Sequence, residues 1–210
     1  MPKYGILRSN TNTGNVSELL AIFAAPLEIV SKKPTILNET LTLKRKAAYS
    51  DTQRWEITAG LMPLADSSEM LIHSVINGYS EKFFIRMPQV YRSKNISENF
   101  DARVLADVAG GQDTVIVSGL GNNILPAGEF IKFSGHGKVY MVKESVRLET
   151  NANQIKLFPK LVNEIEQSET VSYGSKVTMT AMYGDDTNIG ITYTDGILAQ
   201  YDSISLIEVL

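Results

Sequence analysis

Ala127-Gly128-Glu129-Phe130-Ile131-Lys132-Phe133-Ser134-Gly135-His136-Gly137-Lys138-Val139-Tyr140-Met141-Val142 is the stretch on which the reading of the fold turns. Phe130, Ile131 and Phe133 run into a Ser134-Gly135-His136-Gly137 turn, and Val139, Tyr140 and Val142 run out of it. Short apolar runs on either side of a glycine-bearing turn predict a β-hairpin, punctuated by Gly128 and Gly135. Its six apolar side chains suit the interior of a small barrel and the cover of its flank.

The same texture extends around this hairpin. From about Ser93, turn signals come often: Gly110-Gly111, Ser118 to Asn123, Pro126 to Gly128 and Asn151 to Asn153. Between them lie candidate strands at Thr114–Val117, Glu129–Phe133, Val139–Lys143 and Gln154–Leu157, a spacing that predicts a small closed barrel or sandwich. Outside this region the strands are longer. Trp55, Ile57, Ala59 and Leu61 alternate with Glu56, Thr58 and Gly60 up to Pro63, giving a half-buried strand. Leu41 and Leu43 alternate in the same way, as do Phe83, Ile85 and Met87 before Pro88, and Val177, Met179 and Ala181. Asp66 or Ser67 starts a predicted helix carrying Met70, Leu71 and Val75, which Gly78 ends. Ile204, Leu206 and Val209 predict a last strand, with Ser203, Ser205 and Glu208 between them.

The expected fold is therefore mainly β, with an α+β outer domain of one sheet and one helix. Residues 1–92 and 177–210 form this discontinuous domain, and residues 93–176 form an inserted small β-barrel. Insertion at an exposed loop is thermodynamically mild because added loop length costs little. The polar Ser9–Asn15 and apolar Leu19–Ala25 segments read either as an arm reaching a neighbouring copy or as another local element.

Composition removes several chemistries. The 210 residues include no cysteine and two histidines, so disulfides, thiolate metal sites and cysteine nucleophiles are excluded. Little remains for a zinc centre or a histidine triad. The longest apolar run, Leu19 to Leu27, is broken by Pro26 and is too short to span a bilayer, and no signal-peptide pattern opens the chain, so a soluble protein is expected. His136 in its glycine turn reads as a turn residue whose ring bonds neighbouring backbone, and His73 reads as a structural residue of the helix. Asp185 and Asp186 imitate the start of a calcium loop, but the twelfth position is Gly196. Glu164, Glu166 and Glu169 read as a solvated acidic run. Gly119 and Gly121 lack the lysine and helix of a phosphate loop. No catalytic residue, cofactor or metal site is predicted.

Charge is uneven. Residues 1–54 hold eight basic and four acidic side chains, a net of +4, whereas no basic residue follows Lys176 and five acidic ones do. Either the two ends attract one another, within one domain or between copies, or both are ordinary solvated faces. No aromatic residues interleave with a basic stretch, so specific nucleic-acid binding is not expected.

The hairpin run resembles the barrel hairpin of the distal tail proteins of tailed bacteriophages, especially the phage T5 type, whose pattern is aGd.ik...H.KVY.v. Leu157-Phe158-Pro159-Lys160-Leu161 is similar to the family's Leu-aromatic-Pro segment. Gln53-Arg54-Trp55-Glu56-Ile57, the 66–78 helix, Met87-Pro88-Gln89 and Ser203-Ile204-Ser205-Leu206 resemble its outer domain in order and spacing. The match spans most of residues 40–210. The resemblance implies an inserted oligosaccharide/oligonucleotide-binding-like (OB-like) barrel on a domain that forms a hexameric ring around the tail channel. Implied partners are other copies of the chain, the tail tube, hub or baseplate proteins, and host-recognition or side-fibre proteins. The implied location is the virion, assembled in the host cytoplasm. Arg54, Trp55, Ile57, Met70, Leu71 and Val75 fall on the ring-domain match. Gly128, Phe130, Phe133, His136, Lys138, Val139 and Tyr140 fall on the barrel match. A competing reading is a carbohydrate-binding module, with Tyr91, Phe100, Tyr140 and Tyr173 as stacking candidates.

Overall fold

A computed structural model describes residues 5–9, 16–39, 45–49, 52–63, 82–89, 101–119, 124–149, 151–184, 192–193 and 199–210. The chain is mainly β, with one short 3-10 turn at Gly174–Lys176 among the described residues. The first strands are β1 (Gly5–Ser9), β2 (Val16–Lys32), β3 (Thr35–Glu39), β4 (Arg45–Tyr49), β5 (Arg54–Pro63) and β6 (Phe83–Arg86). The middle of the chain supplies β7 (Arg103–Val104), β8 (Thr114–Ser118), β9 (Ile124–Leu125), β10 (Phe130–Phe133), β11 (Tyr140–Val142), β12 (Val146–Arg147), β13 (Asn153–Phe158) and β14 (Val171–Tyr173). The end returns with β15 (Thr178–Tyr183), β16 (Thr192–Tyr193) and β17 (Ala199–Glu208).

Two large antiparallel sheets result. One runs β15-β6-β1-β2-β5-β17-β16, and β15 also pairs with β17, so six of its strands close on themselves. The other runs β14-β10-β11-β13-β8-β7. It is nearly closed: Arg103 bridges Thr170, and the N–H groups of Val104 and Val171 donate to the carbonyls of Glu169 and Ala102. Closure matters because it removes the open edges that an exposed sheet would offer. Strands from residues 5–86 and 178–208 build the first sheet, and strands from 103–173 build the second.

Alternation predicts the buried faces well. Trp55, Ile57 and Ala59 on β5, Phe83 and Ile85 on β6, Met87 just beyond it, and Met179 and Ala181 on β15 all point inward. In the second sheet Ile131, Phe133, Tyr140, Val142, Ile155 and Leu157 share one core. The two glycines with the sharpest backbone demands behave differently. Gly119 has φ +75°, and a Cβ there would lie 2.4 Å from the Asp101 carbonyl oxygen, so both conformation and space require glycine. Gly111 has φ +84° but open space around it.

Several expectations change. The apolar Leu19–Ala25 run is a local element and not an arm. It lies within β2, paired with β1 on one side and β5 on the other. Pro26 sits in the shift between Ala24 and Leu27, where a residue with no N–H costs the ladder no bond. Val209 does not share the inward face of the last strand. Ile204, Leu206 and Glu208 do, because side chains alternate with period two. The predicted 66–78 helix, with Met70, Leu71, His73 and Val75, and the Leu41–Leu43 strand lie outside the described residues.

Candidate functional site: a buried joint between the two sheets

The hairpin of β10 and β11 is two-faced. Ile131, Phe133 and Tyr140 enter the core of the second sheet, whereas Phe130 and Val139 join the core of the first. Thus Phe130 and Val139 cover the barrel's flank and do not fill its interior. Trp55 receives them: its ring meets Phe130 edge-on at 5.4 Å and Phe158 at 6.0 Å, and its Nε1–H donates to the Val139 carbonyl at 2.8 Å. A buried indole that also satisfies its one donor combines a large apolar contact with a directional one.

An ion pair lies beside this contact. Ile207 stands opposite Glu56 in the β17–β5 ladder, and Glu208 therefore reaches the start of β5. Its Oε2 accepts from the Trp55 backbone N–H at 3.1 Å and from Lys138 Nζ, while Oε1 accepts from the Val139 N–H at 2.9 Å. Lys138 Nζ also donates to the Gln53 carbonyl at 2.8 Å. The side chains of Lys138 and Glu208 are 2% and 0% exposed, so neither charge can fall back on bulk water. Burial holds the Lys138 ammonium below the ordinary lysine range, and Glu208 offsets part of that effect. Lys132 is displaced in the same direction by burial, again against Glu208, and donates to the Thr178 carbonyl at 3.1 Å. Gln89 adds another tie: its Oε1 accepts from the Phe130 N–H at 3.1 Å and its Nε2 donates to the Gly174 carbonyl at 2.8 Å. The buried side-chain amide of Gln53, by contrast, has no hydrogen-bond partner at either end among the described residues.

A second polar cluster occupies the turn. His136 is buried, and its ring bonds not neighbouring backbone but the Glu164 carbonyl, 28 residues away, through Nε2 at 3.0 Å. Its Nδ1 lies 2.9 Å from the Tyr140 hydroxyl, which accepts from the Val162 N–H at 3.2 Å. Because a carbonyl only accepts, Nε2 carries a proton and donates to Glu164. Burial pushes the Tyr140 hydroxyl up to about 12. Glu169 closes the turn from outside, accepting from the N–H groups of Gly135 at 3.0 Å and Glu166 at 3.1 Å. It is therefore more than part of a solvated acidic run, whereas Glu164 and Glu166 are exposed.

The residues singled out in the sequence thus separate. Trp55, Phe130, Lys138 and Val139 come together at the joint; Ile57 lies in the adjacent core. Arg54 is exposed and pairs with Glu56 at 2.9 Å. Phe133, His136 and Tyr140 belong to the turn cluster, and Gly128 has φ +89° ahead of β10. Tyr140 and Tyr173 are buried and offer no face for glycan stacking; Tyr91 and Phe100 lie outside the described residues. Sequence reasoning missed Glu208, Gln53, Gln89 and Lys132. Glu208 carried a signal, since it shares the parity of Ile204 and Leu206. No three histidine or acidic side chains converge in a metal-binding arrangement among the described residues.

An open groove of about 630 Å³ lies near the turn cluster, lined by Asp107, Val108, Ala109, Glu164, Ile165, Glu166 and Gln167. Asp107 already accepts from the Gln167 N–H at 2.6 Å. No protein-family model matches the chain, and no curated protein matches it.

Proposed function

We propose that this chain is a structural subunit of a bacteriophage tail tip or baseplate. Residues 1–92 and 177–210 form a ring-building domain, and residues 93–176 form an inserted OB-like barrel held at a set orientation. The ring is hexameric on the family resemblance, joins the tail tube to distal tail parts, and works without catalysis. The observation that carries this reading is the joint: one hairpin supplies both a barrel wall and the Phe130, Lys138 and Val139 contacts to Trp55 and Glu208. A buried charge pair shared by distant segments favours one docking geometry, since a shifted barrel would strand both charges. That is a requirement of a scaffold whose copies must align around an axis.

Mass measurement and negative-stain imaging of the full chain test the reading, together with protein identification in purified particles. Rings, or the chain at the tail tip, are the expected result. A species confined to the host cell and absent from particles overturns it.

A further inference from the structure

Among the described residues, no strand of one large sheet pairs with a strand of the other. The chain passes between them twice, after β6 and before β15, and these two strands are neighbours. There the Met87 N–H donates to the Val177 carbonyl at 3.0 Å, so the two passages run side by side. The second passage contains the 3-10 turn Gly174–Lys176, in which Gly174 has φ +61°. A glycine in the left-handed region absorbs backbone rotation that a residue with a Cβ resists.

The remaining ties lie farther round the same end of the closed first sheet. Glu208 near the end of β17 and Trp55 at the start of β5 both face inward there, and the β10–β11 hairpin lies over them. Side chains, not ladders, make the joint. The Val139 N–H donates to Glu208, the Trp55 Nε1–H to the Val139 carbonyl, and the Phe130 N–H to Gln89. Undocking the hairpin exposes the Trp55, Phe130 and Phe158 rings, which opposes it, and returns the Lys138 and Glu208 charges to water, which offsets part of that cost. Unfolding either sheet exposes the same groups and breaks its ladders as well, so undocking is the cheaper opening.

We propose that residues 103–173 act as a lid on the mouth of the first sheet, hinged beside Met87 and Gly174, latched by Lys138 and Glu208, and released as one unit while both sheets stay folded. The closed lid is the form described above, and the angle between the sheets is fixed only in that form. This stands apart from the assembly reading, which a lid that never opens leaves intact.

The test is native-state hydrogen exchange of the full wild-type chain, read by NMR in denaturant below the unfolding midpoint. The Val139 and Phe130 amides and the Trp55 indole N–H should exchange through one shared opening. Their protection should be at least about tenfold below that of the Val142 and Leu157 amides, which donate to Glu129 and Asp113 within the lid itself. The shared opening should depend on denaturant, because rings are exposed, and less steeply than global unfolding does. Two variants then separate lid from fold. Glu208→Gln keeps an acceptor oxygen but removes the charge, and should lower protection of the three joint groups at least about tenfold. Tyr140→Phe weakens the lid's interior equally in the closed and open forms. It should therefore lower protection at Val142 and Leu157 severalfold and leave the three joint groups unmoved. Joint groups that exchange only with global unfolding, or separately and with no denaturant dependence, overturn the lid. So does a Tyr140→Phe loss shared equally by all five groups. The wild-type measurement decides the matter even where a variant fails to fold.

Discussion

Two buried polar clusters sit two residues apart on the same hairpin and are built on opposite terms. Lys138 carries a charge across to Glu208 on β17 and to the carbonyl of Gln53, so its satisfaction depends on three segments staying docked. His136 has no charged partner, and its partners Tyr140 and Glu164 both lie within 103–173, the stretch that builds the second sheet. The first cluster reports on how the two sheets are held together. The second reports on the integrity of one of them. Burial is almost complete in both, so the difference in what each does comes from charge and from reach along the chain.

The sharpest way to break this contrast is Glu208→Ala. It leaves the Lys138 ammonium buried and two backbone N–H groups without their acceptor, a loss of about 3–5 kcal/mol. Chemical denaturation measures it, and Trp55 fluorescence should change with it because the Trp55 N–H is one of those donors. Replacing both partners together, Lys138→Met with Glu208→Leu, should recover the part of the loss due to the stranded charge, while the Trp55 and Val139 N–H groups stay without their acceptor. If the single and double changes cost the same, the ion pair is not what holds the joint.

Next comes an alkaline effect confined to the turn cluster. Tyr140 keeps its proton to about 12 in the folded chain, against an ordinary 10.0. Between those values the folded chain binds more protons than the unfolded one, so stability falls as pH rises. The contribution is intact below about pH 10, and two units correspond to roughly 2–3 kcal/mol. Tyr140→Phe should remove that alkaline loss while costing about 1–3 kcal/mol at neutral pH, because the buried His136 Nδ1 loses its partner whereas water can replace the acceptor of the exposed Val162 N–H. Denaturant midpoints from pH 8 to 12 for both proteins decide this; parallel curves would place the alkaline sensitivity elsewhere.

A smaller change of opposite sign is expected from Gln53→Leu. The Gln53 amide is buried without a partner, whereas its backbone carbonyl is the group that serves Lys138. Removing the amide should therefore leave the charged cluster intact and raise stability by about 1–2 kcal/mol. A loss instead would mean that the side chain's shape matters more than its unmet polarity.

How much of this was legible from the residues follows the physics of each feature. Alternation exposed the buried faces of β5, β6 and β15 because one face of a strand repeats every second residue. The hairpin at 130–142 was legible from its glycines, and its two faces were not, because Phe130 and Ile131 are equally apolar and only the second sheet's docking sorts them. The Trp55 anchor announced itself by size. Its partner Glu208 did not, because a charged residue near the end of a strand reads as solvent-facing until its parity is followed through Leu206. The pairing with Lys138 spans 70 positions, and nothing local in either segment records it. Likewise, His136 in a glycine turn looks exposed; only the return of Glu164 and Val162 over it buries the ring.

The smallest expected effect is at Arg54, adjacent to Trp55 and facing the other way. Its guanidinium is half exposed and bonds Glu56 Oε1 through Nε and Nη2 at 3.1 and 2.9 Å; Lys32 also lies 3.6 Å from Glu56 Oε2. Arg54→Ala therefore leaves Glu56 a second cation in a solvated setting, and stability should change by no more than about 0.5 kcal/mol, shrinking further in high salt. That near-silence makes the variant informative. Arg54 marks the end of the β2–β5 ladder, so a change that leaves folding untouched but weakens self-association several-fold would locate a contact between copies at that end. If melting and self-association are both unmoved, Arg54 is a solvated strand residue and no contact between copies lies at that end of the ladder.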